Sequence, residues 1–251
     1  MKLYILGSSS KGNCYLLQSE KTGEVLILEA GIKLQEVKKA LNFNISSIVG
    51  CCITHEHGDH AKYVLQYLEA RIPVRMSEGT MHKTVPSDYA GFLPLKCESG
   101  SRFRLGGFDI IPFDVQHDAE EPLGYLIRHE ECGVVLFATD TYYLKYKFSG
   151  LNNVLIECNY SLDILNHNTD AGYISPVRRE RTIKSHMSYN TCLETLQAND
   201  LSQVNNIILI HLSDANSNES EFVTGIKAAT GKNVIAAHQG MKIEFNKTPY
   251  Y

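Results

Sequence analysis

The segment CCITHEHGDHAKY, residues 51–63, places a cluster of ionisable side chains directly after an apolar run. Alternate residues of an extended segment share a face, so His55 and His57 are expected to point in the same direction. Asp59 and His60 follow a glycine and are expected to turn back where the next helix begins. This spacing predicts two separate sets of ligands rather than one.

The donor types in this segment favour a metal site. Imidazole nitrogens and carboxylate oxygens are ligands of zinc, manganese or iron, and the absence of thiolate argues against a closed structural zinc site. Glu56 does not fit the HxHxDH pattern, and its side chain is expected to point away from the site. Two metals would need more ligands than this segment alone supplies.

Three further candidate ligands lie where apolar runs end. His117 follows FDVQ, Asp140 ends VVLFATD, and His211 ends NNIILIH. A single histidine after a strand is a weak indicator, because such a residue is often an ordinary loop residue. Four strand ends of the same kind together predict one shared site.

The rest of the chain alternates strand patterns with helical ones. Strands are expected over residues 2–7, 14–19, 24–31, 45–54, 103–116, 123–130, 133–139, 153–159, 205–213 and 241–246. Helices are expected over 33–42, 60–70, 188–200 and 218–229. The two halves, each with strands and then helices, predict an α/β fold of two sheets packed face to face with helices outside. We expect a single domain over residues 1–251.

Composition bounds the function. The chain has 251 residues, of which 43% are hydrophobic and 21% charged, and its net charge of −4 is unlike that of most proteins that grip long nucleic acid. The dense cationic stretch VRRERTIK is either a solvated loop or a phosphate-contacting one. Seven scattered cysteines without a CxxC pair, no signal peptide pattern and no membrane-span pattern predict reduced thiols and a cytoplasmic location.

With these motifs, the chain resembles the metallo-β-lactamase-fold hydrolases over nearly its whole length. HxHxDH is specific to that fold, and the later His, Asp and His fall in the family's order. ECNY and SHMSYNT…IILIHLS resemble elements of ribonuclease Z. GSSSKGNCYLL and HLSDANSN are most similar to the YycJ-like branch and to the related phage anti-Pycsar cyclic nucleotide phosphodiesterases.

The resemblance implies two divalent metal ions, zinc or alternatively manganese. It implies His55, His57 and His117 as ligands of one ion. It implies Asp59, His60 and His211 as ligands of the second, with Asp140 bridging both. The catalytic residues it implies are His186 as proton donor, Glu157 holding the His186 ring, and Asp59. From the residues themselves, Ser188 is expected to bind substrate phosphate at a helix N-terminus, and Arg178 and Arg181 of the cationic stretch are expected to contact substrate.

Two positions depart from the family pattern. The family has Asp where LEAG places Glu29, one methylene longer, so the surroundings of the site are expected to be rearranged. The donor element reads SHMS instead of GHS. We also find no long inserted arm of the kind with which ribonuclease Z grips tRNA, which argues against tRNA processing.

The favoured substrate is a small nucleotide, most of all a cyclic mononucleotide hydrolysed to a linear monophosphate, as in the anti-Pycsar relatives. The alternative is a YycJ-type nuclease acting on DNA or RNA, in which case long nucleic acid is the partner. A third possibility is a non-catalytic metal-binding protein of the same fold. The resemblance also implies a homodimer without membrane contact, in the host cytoplasm if phage-encoded, with residues 163–184 as a loop-like insert that reaches a neighbouring subunit's site.

Overall fold

A computed structural model describes residues 1–248 of the chain. The strands are β1 Lys2–Gly7, β2 Cys14–Gln18, β3 Val25–Leu28, β4 Ile48–Cys52, β5 Val74–Met76, β6 Leu95–Lys96, β7 Phe103–Leu105, β8 Phe108–Asp114, β9 Leu123–His129, β10 Gly133–Ala138, β11 Leu151–Glu157, β12 Asn206–Ile210, β13 Asn233–Ala236 and β14 Lys242–Glu244. The helices are α1 Leu34–Ala40, α2 Gly58–Ala61, α3 Val64–Glu69, α4 Glu78–Thr84, α5 Leu162–Asp170, α6 Pro176–Ser185, α7 Tyr189–Ala198 and α8 Glu219–Thr230.

Within residues 1–248 the strands form two sheets of seven. The first sheet has the order β14-β1-β2-β3-β4-β5-β6, and the second has the order β13-β12-β11-β10-β9-β8-β7. Each sheet contains a run of parallel strands, β3 to β6 in the first and β10 to β13 in the second. Parallel strands end at the same edge of a sheet, so each run delivers several loops to one place.

The alternation of side chains along the strands explains the layers. In β1, Leu3 and Ile5 enter the core between the sheets, whereas Tyr4 and Leu6 pack toward the helices on the outer face. The second sheet repeats this pattern: its outer apolar side chains pack with Cys192 and other residues of α7 and α8. Burying both faces of both sheets requires helices outside each one, so the predicted αββα sandwich is confirmed.

One buried tyrosine ties the two sheets together beside the HxHxDH segment. Tyr125 on β9 is fully buried, and its hydroxyl donates a hydrogen bond of 2.6 Å to the Ile53 carbonyl just after β4. The Leu123 N–H donates to the Thr54 carbonyl at 3.0 Å. These contacts fix the end of β4, and with it the start of the histidine segment, against the second sheet.

The structure corrects several expectations about secondary structure. The expectation of a loop-like insert over residues 163–184 is wrong, because this region forms a pair of helices, α5 and α6. Strands β5, β6 and β13 and helix α4 were also not expected from the sequence. No helix within residues 1–248 is long and apolar enough to cross a membrane. All seven cysteines are buried and free of disulfides. The expectation of a single domain over residues 1–251 stays a prediction.

Candidate metal centre and active site

Three histidines converge at the edge where the parallel strands end. The Nδ1 atom of His57 lies 3.1 Å from Nε2 of His55 and 3.0 Å from Nε2 of His117. Ligands about 2.0–2.1 Å from a tetrahedral ion lie about 3.3 Å apart, so these spacings suit one shared cation. Without a cation or a proton between them, the three lone pairs would repel one another.

A second set of ligands lies beside the first. Oδ2 of Asp59 is 3.3 Å from Nε2 of His60 and 3.0 Å from Nε2 of His211. The turn after β4 allows this geometry because Asp59 and His60 fall in the single turn of α2. The two ligand sets expected from the sequence therefore lie together as two clusters in space. A third group of candidate ligands, Asp140, Glu157, His186 and His211, overlaps the second cluster.

The carboxylate of Asp140 lies between the two clusters. Its Oδ1 atom is 3.3 Å from Nε2 of His60 and 3.8 Å from Nε2 of His211. Its Oδ2 atom is 3.7 Å from Nε2 of His117 and 3.9 Å from Nε2 of His55. One oxygen therefore faces each cluster, as a bridging ligand requires.

The electrostatics of the site favour bound positive charge. Burial lowers the pKa of the His211 imidazole, but the neighbouring carboxylates, Asp140 and Asp59 foremost, raise it to about 10. Burial raises the pKa of Asp140, yet the imidazoles of His211 and His60 hold it well below its usual range. The donor atoms of both clusters are imidazole nitrogens and carboxylate oxygens. These donor types and the favourable surroundings for positive charge fit two divalent cations, to which the lone pairs of these atoms would bind.

Glu29 braces the segment that bears His55. The Thr54 hydroxyl donates to Oε1 of Glu29 at 2.6 Å, and the Thr54 N–H donates to Oε2 at 3.2 Å. Because this hydroxyl donates to Glu29, it accepts from Nδ1 of His55 at 2.9 Å, which leaves the Nε2 lone pair facing the cluster. Oε1 of Glu29 also lies 3.4 Å from Nδ1 of His60, without hydrogen-bond geometry. The longer side chain thus still reaches the site.

Three residues at this edge adopt left-handed backbone conformations. Glu29 has a φ of 73°, Asp140 of 44° and His211 of 55°. Glu29 and His211 follow directly on β3 and β12, and Asp140 lies two residues after the end of β10. Such conformations are unfavourable for residues other than glycine and concentrate at functional sites. The strand-to-loop turn at each position redirects the side chain toward the clusters.

His186 and Glu157 form a tight pair at the rim of the site. Nδ1 of His186 donates to Oε1 of Glu157 at 2.7 Å, while Oε2 of Glu157 accepts from the N–H groups of Met187 and Thr141, both at 3.0 Å. Burial lowers the pKa of His186, but the Glu157 carboxylate raises it above its usual value. Since Nδ1 is held, Nε2 is the nitrogen available to a substrate.

Two residues of the first turn, missed in the sequence, support the second cluster. The Asn13 side-chain amide is fully buried and donates to Oδ2 of Asp59 at 3.2 Å; the same nitrogen lies 3.1 Å from Nε2 of His60. The Ser8 hydroxyl accepts from the His211 N–H at 3.0 Å. The sequence contained one indication of this role. GSSSKGN ends in an asparagine that follows a glycine, and an asparagine that is buried needs hydrogen-bond partners.

Close packing around this turn also explains the glycine in LEAG. A Cβ on Gly31 would lie 1.8 Å from the carbonyl oxygen of Asp59, and the Gly31 N–H donates to the Asn13 carbonyl at 3.1 Å. Any side chain at position 31 would therefore push α2 and its ligands out of place.

Asn13→Ala is expected to weaken binding of the second metal about 10- to 100-fold, the usual effect of removing a group that orients a ligand. Chelator competition monitored by metal analysis measures this affinity. Asn44→Ala removes an exposed asparagine beside the 3-10 turn Ile45–Ser47 and serves as the control. Equal metal affinities in the two variants would show that Asn13 does not position Asp59.

The expected substrate-binding residues occupy different places. Arg181 donates through Nε to Oδ2 of Asp118 at 2.8 Å, and Oδ1 of Asp118 is 3.5 Å from Nε2 of His117, so Arg181 lies near the first cluster. Arg178 lines a surface groove together with Tyr173 and Asp214. The Ser188 hydroxyl caps α7 by accepting from the Thr191 N–H at 3.1 Å, so its contact with substrate stays a prediction.

Glu56 lies outside both clusters, as expected. Its Oε1 atom accepts a hydrogen bond of 2.9 Å from the Glu120 N–H, which ties the histidine segment to the loop after His117.

The sandwich fold and the paired clusters define a class of protein. The family model of the metallo-beta-lactamase superfamily matches residues 9–121. The chain has the metallo-β-lactamase fold, with a His and Asp cluster compatible with a dinuclear divalent metal site.

The relatives of the chain are nucleases by name. It is homologous to the exodeoxyribonuclease WalJ of Streptococcus pneumoniae, with 28% identity over 228 residues, 86% of this chain and 83% of the relative. The exodeoxyribonuclease YycJ of Bacillus anthracis is 26% identical over 175 residues, 64% of each protein. Among solved structures, the metallo-beta-lactamase fold protein YhfI from Bacillus subtilis superposes with a TM-score of 0.73 at 15% identity, covering 97% of this chain and 99% of that one.

Proposed function

We propose that this protein is a metal-dependent deoxyribonuclease that hydrolyses phosphodiester bonds at the ends of DNA strands. The homology to exodeoxyribonucleases, which extends over 86% of this chain for WalJ, is the observation that carries the proposal. The convergence of seven imidazole and carboxylate ligands on two adjacent clusters supports a catalytic role over a purely structural one. The nuclease alternative drawn from the sequence is therefore favoured over the cyclic mononucleotide.

The residues around the clusters suit phosphodiester hydrolysis. Two divalent ions held by these ligands would supply Lewis-acid stabilisation of the phosphate oxygens and a water of lowered pKa as nucleophile. His186, charged and held at Nδ1 by Glu157, would donate the proton on Nε2 to the departing sugar oxygen. Arg181 would add positive charge at the rim, partly offset by Asp118.

The surface beside the site is open enough for a chain. Two grooves, with volumes of about 480 and 360 Å³, flank the turn of residues 8–12 and share Ser213 and Asp214 as a common wall. Neither groove is lined by a residue of the two clusters, so both could hold parts of a substrate that extend beyond the metal centre. Strand binding in a groove allows several phosphates of a polymer to be contacted at once.

A substrate panel tests the proposal. With metal-loaded protein, single-stranded and duplex DNA labelled at one end are expected to be shortened stepwise from a terminus, while 3′,5′-cyclic mononucleotides are hydrolysed far more slowly. Gel analysis of the ladder and chromatography of released mononucleotides measure both. Rapid hydrolysis of cyclic mononucleotides with intact DNA would overturn the proposal and restore the sequence-based expectation.

The salt dependence of the reaction gives a second test. A single strand held by Z cationic contacts loses affinity with a slope of about −0.7Z in log salt, so the KM for DNA is expected to rise steeply between 50 and 200 mM salt. The KM for bis-(p-nitrophenyl) phosphate, which offers one phosphate, is expected to change little. Parallel salt responses for the two substrates would contradict binding of a polymer outside the metal site.

A further inference from the structure

We propose that the groove between the α5–α6 hairpin and the loop after His211 is the channel in which a single-stranded end of nucleic acid lies, with Tyr173 stacking on a base and Arg178 pairing with a phosphate. This inference rests on the proposed nuclease function and names the form of substrate that the site takes. We call this surface the hairpin groove; its lining is Ser10, Asn168, Tyr173, Ile174, Arg178, Ser213, Asp214, Ala215 and Asn216.

The walls of the hairpin groove are built by the elements that bear active-site residues. One wall is the loop just after β12, beginning two residues beyond His211. This loop is fixed to the hairpin, because the Asn168 amide donates to the carbonyl of Ala215 at 3.0 Å and to Oδ1 of Asn216 at 2.9 Å. The opposite wall leads into α6, whose C-cap is His186.

Tyr173 is placed as a stacking side chain. It lies in the turn between α5 and α6, where its backbone N–H donates to the Asn168 carbonyl at 2.9 Å, and its side chain is 79% exposed. A large aromatic ring this exposed gives up burial that folding would otherwise use. A turn pinned by backbone hydrogen bonds presents the ring at low entropic cost, and any base can stack on it.

Arg178 supplies free positive charge in the same groove. Its neighbours on α6 are engaged, Arg179 with Glu180 at 2.8 Å and Arg181 with Asp118 at 2.8 Å. In the part of the chain that the structure describes, the Arg178 guanidinium makes no ion pair. The acidic residue of the groove, Asp214, is paired with Lys11 at 3.1 Å, which offsets its repulsion of a phosphate.

The distance from the groove to the chemistry fits a short strand. Arg178 lies on α6 and precedes the C-cap of that helix, His186, by eight residues, about 12 Å along the axis at 1.5 Å per residue. A stacked strand rises about 3.4 Å per nucleotide. The phosphate on Arg178 would therefore lie within about four nucleotides of the one that reacts.

The polar lining distinguishes this groove from an interface between copies of the chain. Most lining side chains are serine, asparagine or charged residues, whereas homodimer interfaces are richer in apolar surface. Exposed Val177, next to Arg178, is the feature that a dimer would use. The homodimer expected from the sequence stays a prediction, and its use of this surface is an outcome of the test below.

The test measures binding of a fluorescein-labelled, phosphorothioate-linked dT12 strand to metal-loaded protein by fluorescence anisotropy. Tyr173→Ala is expected to weaken binding about 5- to 150-fold, as loss of one stacked base does. Arg178→Ala is expected to weaken binding and to reduce the slope in log salt by about 0.7. Phe43→Ala and Arg104→Ala, which remove an exposed aromatic and an exposed cation away from the groove, are the controls.

Activity and oligomeric state separate the possible failures. For Tyr173→Ala, the ratio of kcat/KM on single-stranded DNA to that on bis-(p-nitrophenyl) phosphate is expected to fall by the same factor as binding. If wild-type protein degrades DNA while both groove variants bind like the controls, the hairpin groove is not the channel and the nuclease proposal stands. If wild-type protein leaves DNA intact, the proposed function itself fails. Conversion of a dimer to a monomer by Tyr173→Ala in light scattering, with equal losses on both substrates, would make this surface a subunit interface instead.

Discussion

Asp140→Ala is expected to reduce phosphodiester hydrolysis by well over 100-fold and to lower the metal content below two ions per chain. The carboxylate has one oxygen 3.3 Å from His60 Nε2 and the other 3.7 Å from His117 Nε2, so its removal takes a ligand from both clusters at once. Changing a residue that only orients a ligand costs about 10- to 100-fold in affinity or activity, and a shared ligand should cost more. Metal analysis of purified protein and rates on end-labelled DNA measure the two effects.

Asp140→Asn is the matched variant, because the backbone at this position has a φ of 44°. Asparagine adopts this left-handed conformation more readily than alanine, so the Asn variant keeps the turn at lower cost while removing the charge. Its melting temperature should therefore exceed that of the Ala variant, while its activity should still fall sharply. Full activity in either variant with less than one metal per chain would contradict a dinuclear mechanism.

The ligand residues could be predicted from the sequence because of a simple topological fact. Parallel strands end at one edge, so polar residues that follow directly on buried apolar runs are brought together even when far apart in the chain. His55 follows β4 of the first sheet and His211 follows β12 of the second, and both reach the site. Their meeting therefore also depends on how the two sheets pack against each other, and His117 follows β8, which is antiparallel to both of its neighbours.

The groups that orient the ligands could not be assigned in this way. Asn13 contacts Asp59 across 46 positions of sequence, and the Ser8 hydroxyl contacts the His211 N–H across 203. No local periodicity links such pairs; they depend on how the first turn is packed against α2 and the end of β12. The left-handed backbone at Glu29, Asp140 and His211 is equally invisible, since none of these residues is glycine.

Helix α6 was missed for a different reason. Half of its sequence PVRRERTIKS is charged and it has no apolar stripe, so periodicity alone does not reveal it. The start signal was present: Ser175 caps the helix by accepting from the Arg178 N–H at 3.2 Å, and Pro176 occupies the first helical position. Serine followed by proline is a recognised helix start, and it would have replaced the expected loop.

His186→Ala is expected to lower the rate of DNA hydrolysis about 10²- to 10⁴-fold, the usual contribution of a general acid, while metal content stays near the wild-type value. The ring is oriented by the 2.7 Å hydrogen bond from Nδ1 to Glu157 and stacks on His211 at 5.4 Å. It belongs to neither of the two ligand sets implied by the sequence, although it lies close enough to Asp140 and His211 to form a third group with them, so metal content is measured alongside the rate. A sugar alkoxide is a poor leaving group that needs a proton, whereas p-nitrophenolate needs none. The loss should therefore be much smaller on bis-(p-nitrophenyl) phosphate.

Two further variants sharpen this test. Glu157→Gln should reproduce part of the defect on DNA, because an amide carries no negative charge to stabilise the charged ring. Its single oxygen also cannot replace both carboxylate oxygens, which accept from His186 Nδ1 and from the Met187 N–H. His82→Ala removes another histidine that faces a carboxylate, Glu78 at 3.7 Å, but on the exposed surface of α4, and it should change neither substrate's rate. If His186→Ala slows DNA and bis-(p-nitrophenyl) phosphate hydrolysis by the same factor, His186 orients substrate or metal and the proton comes from another group.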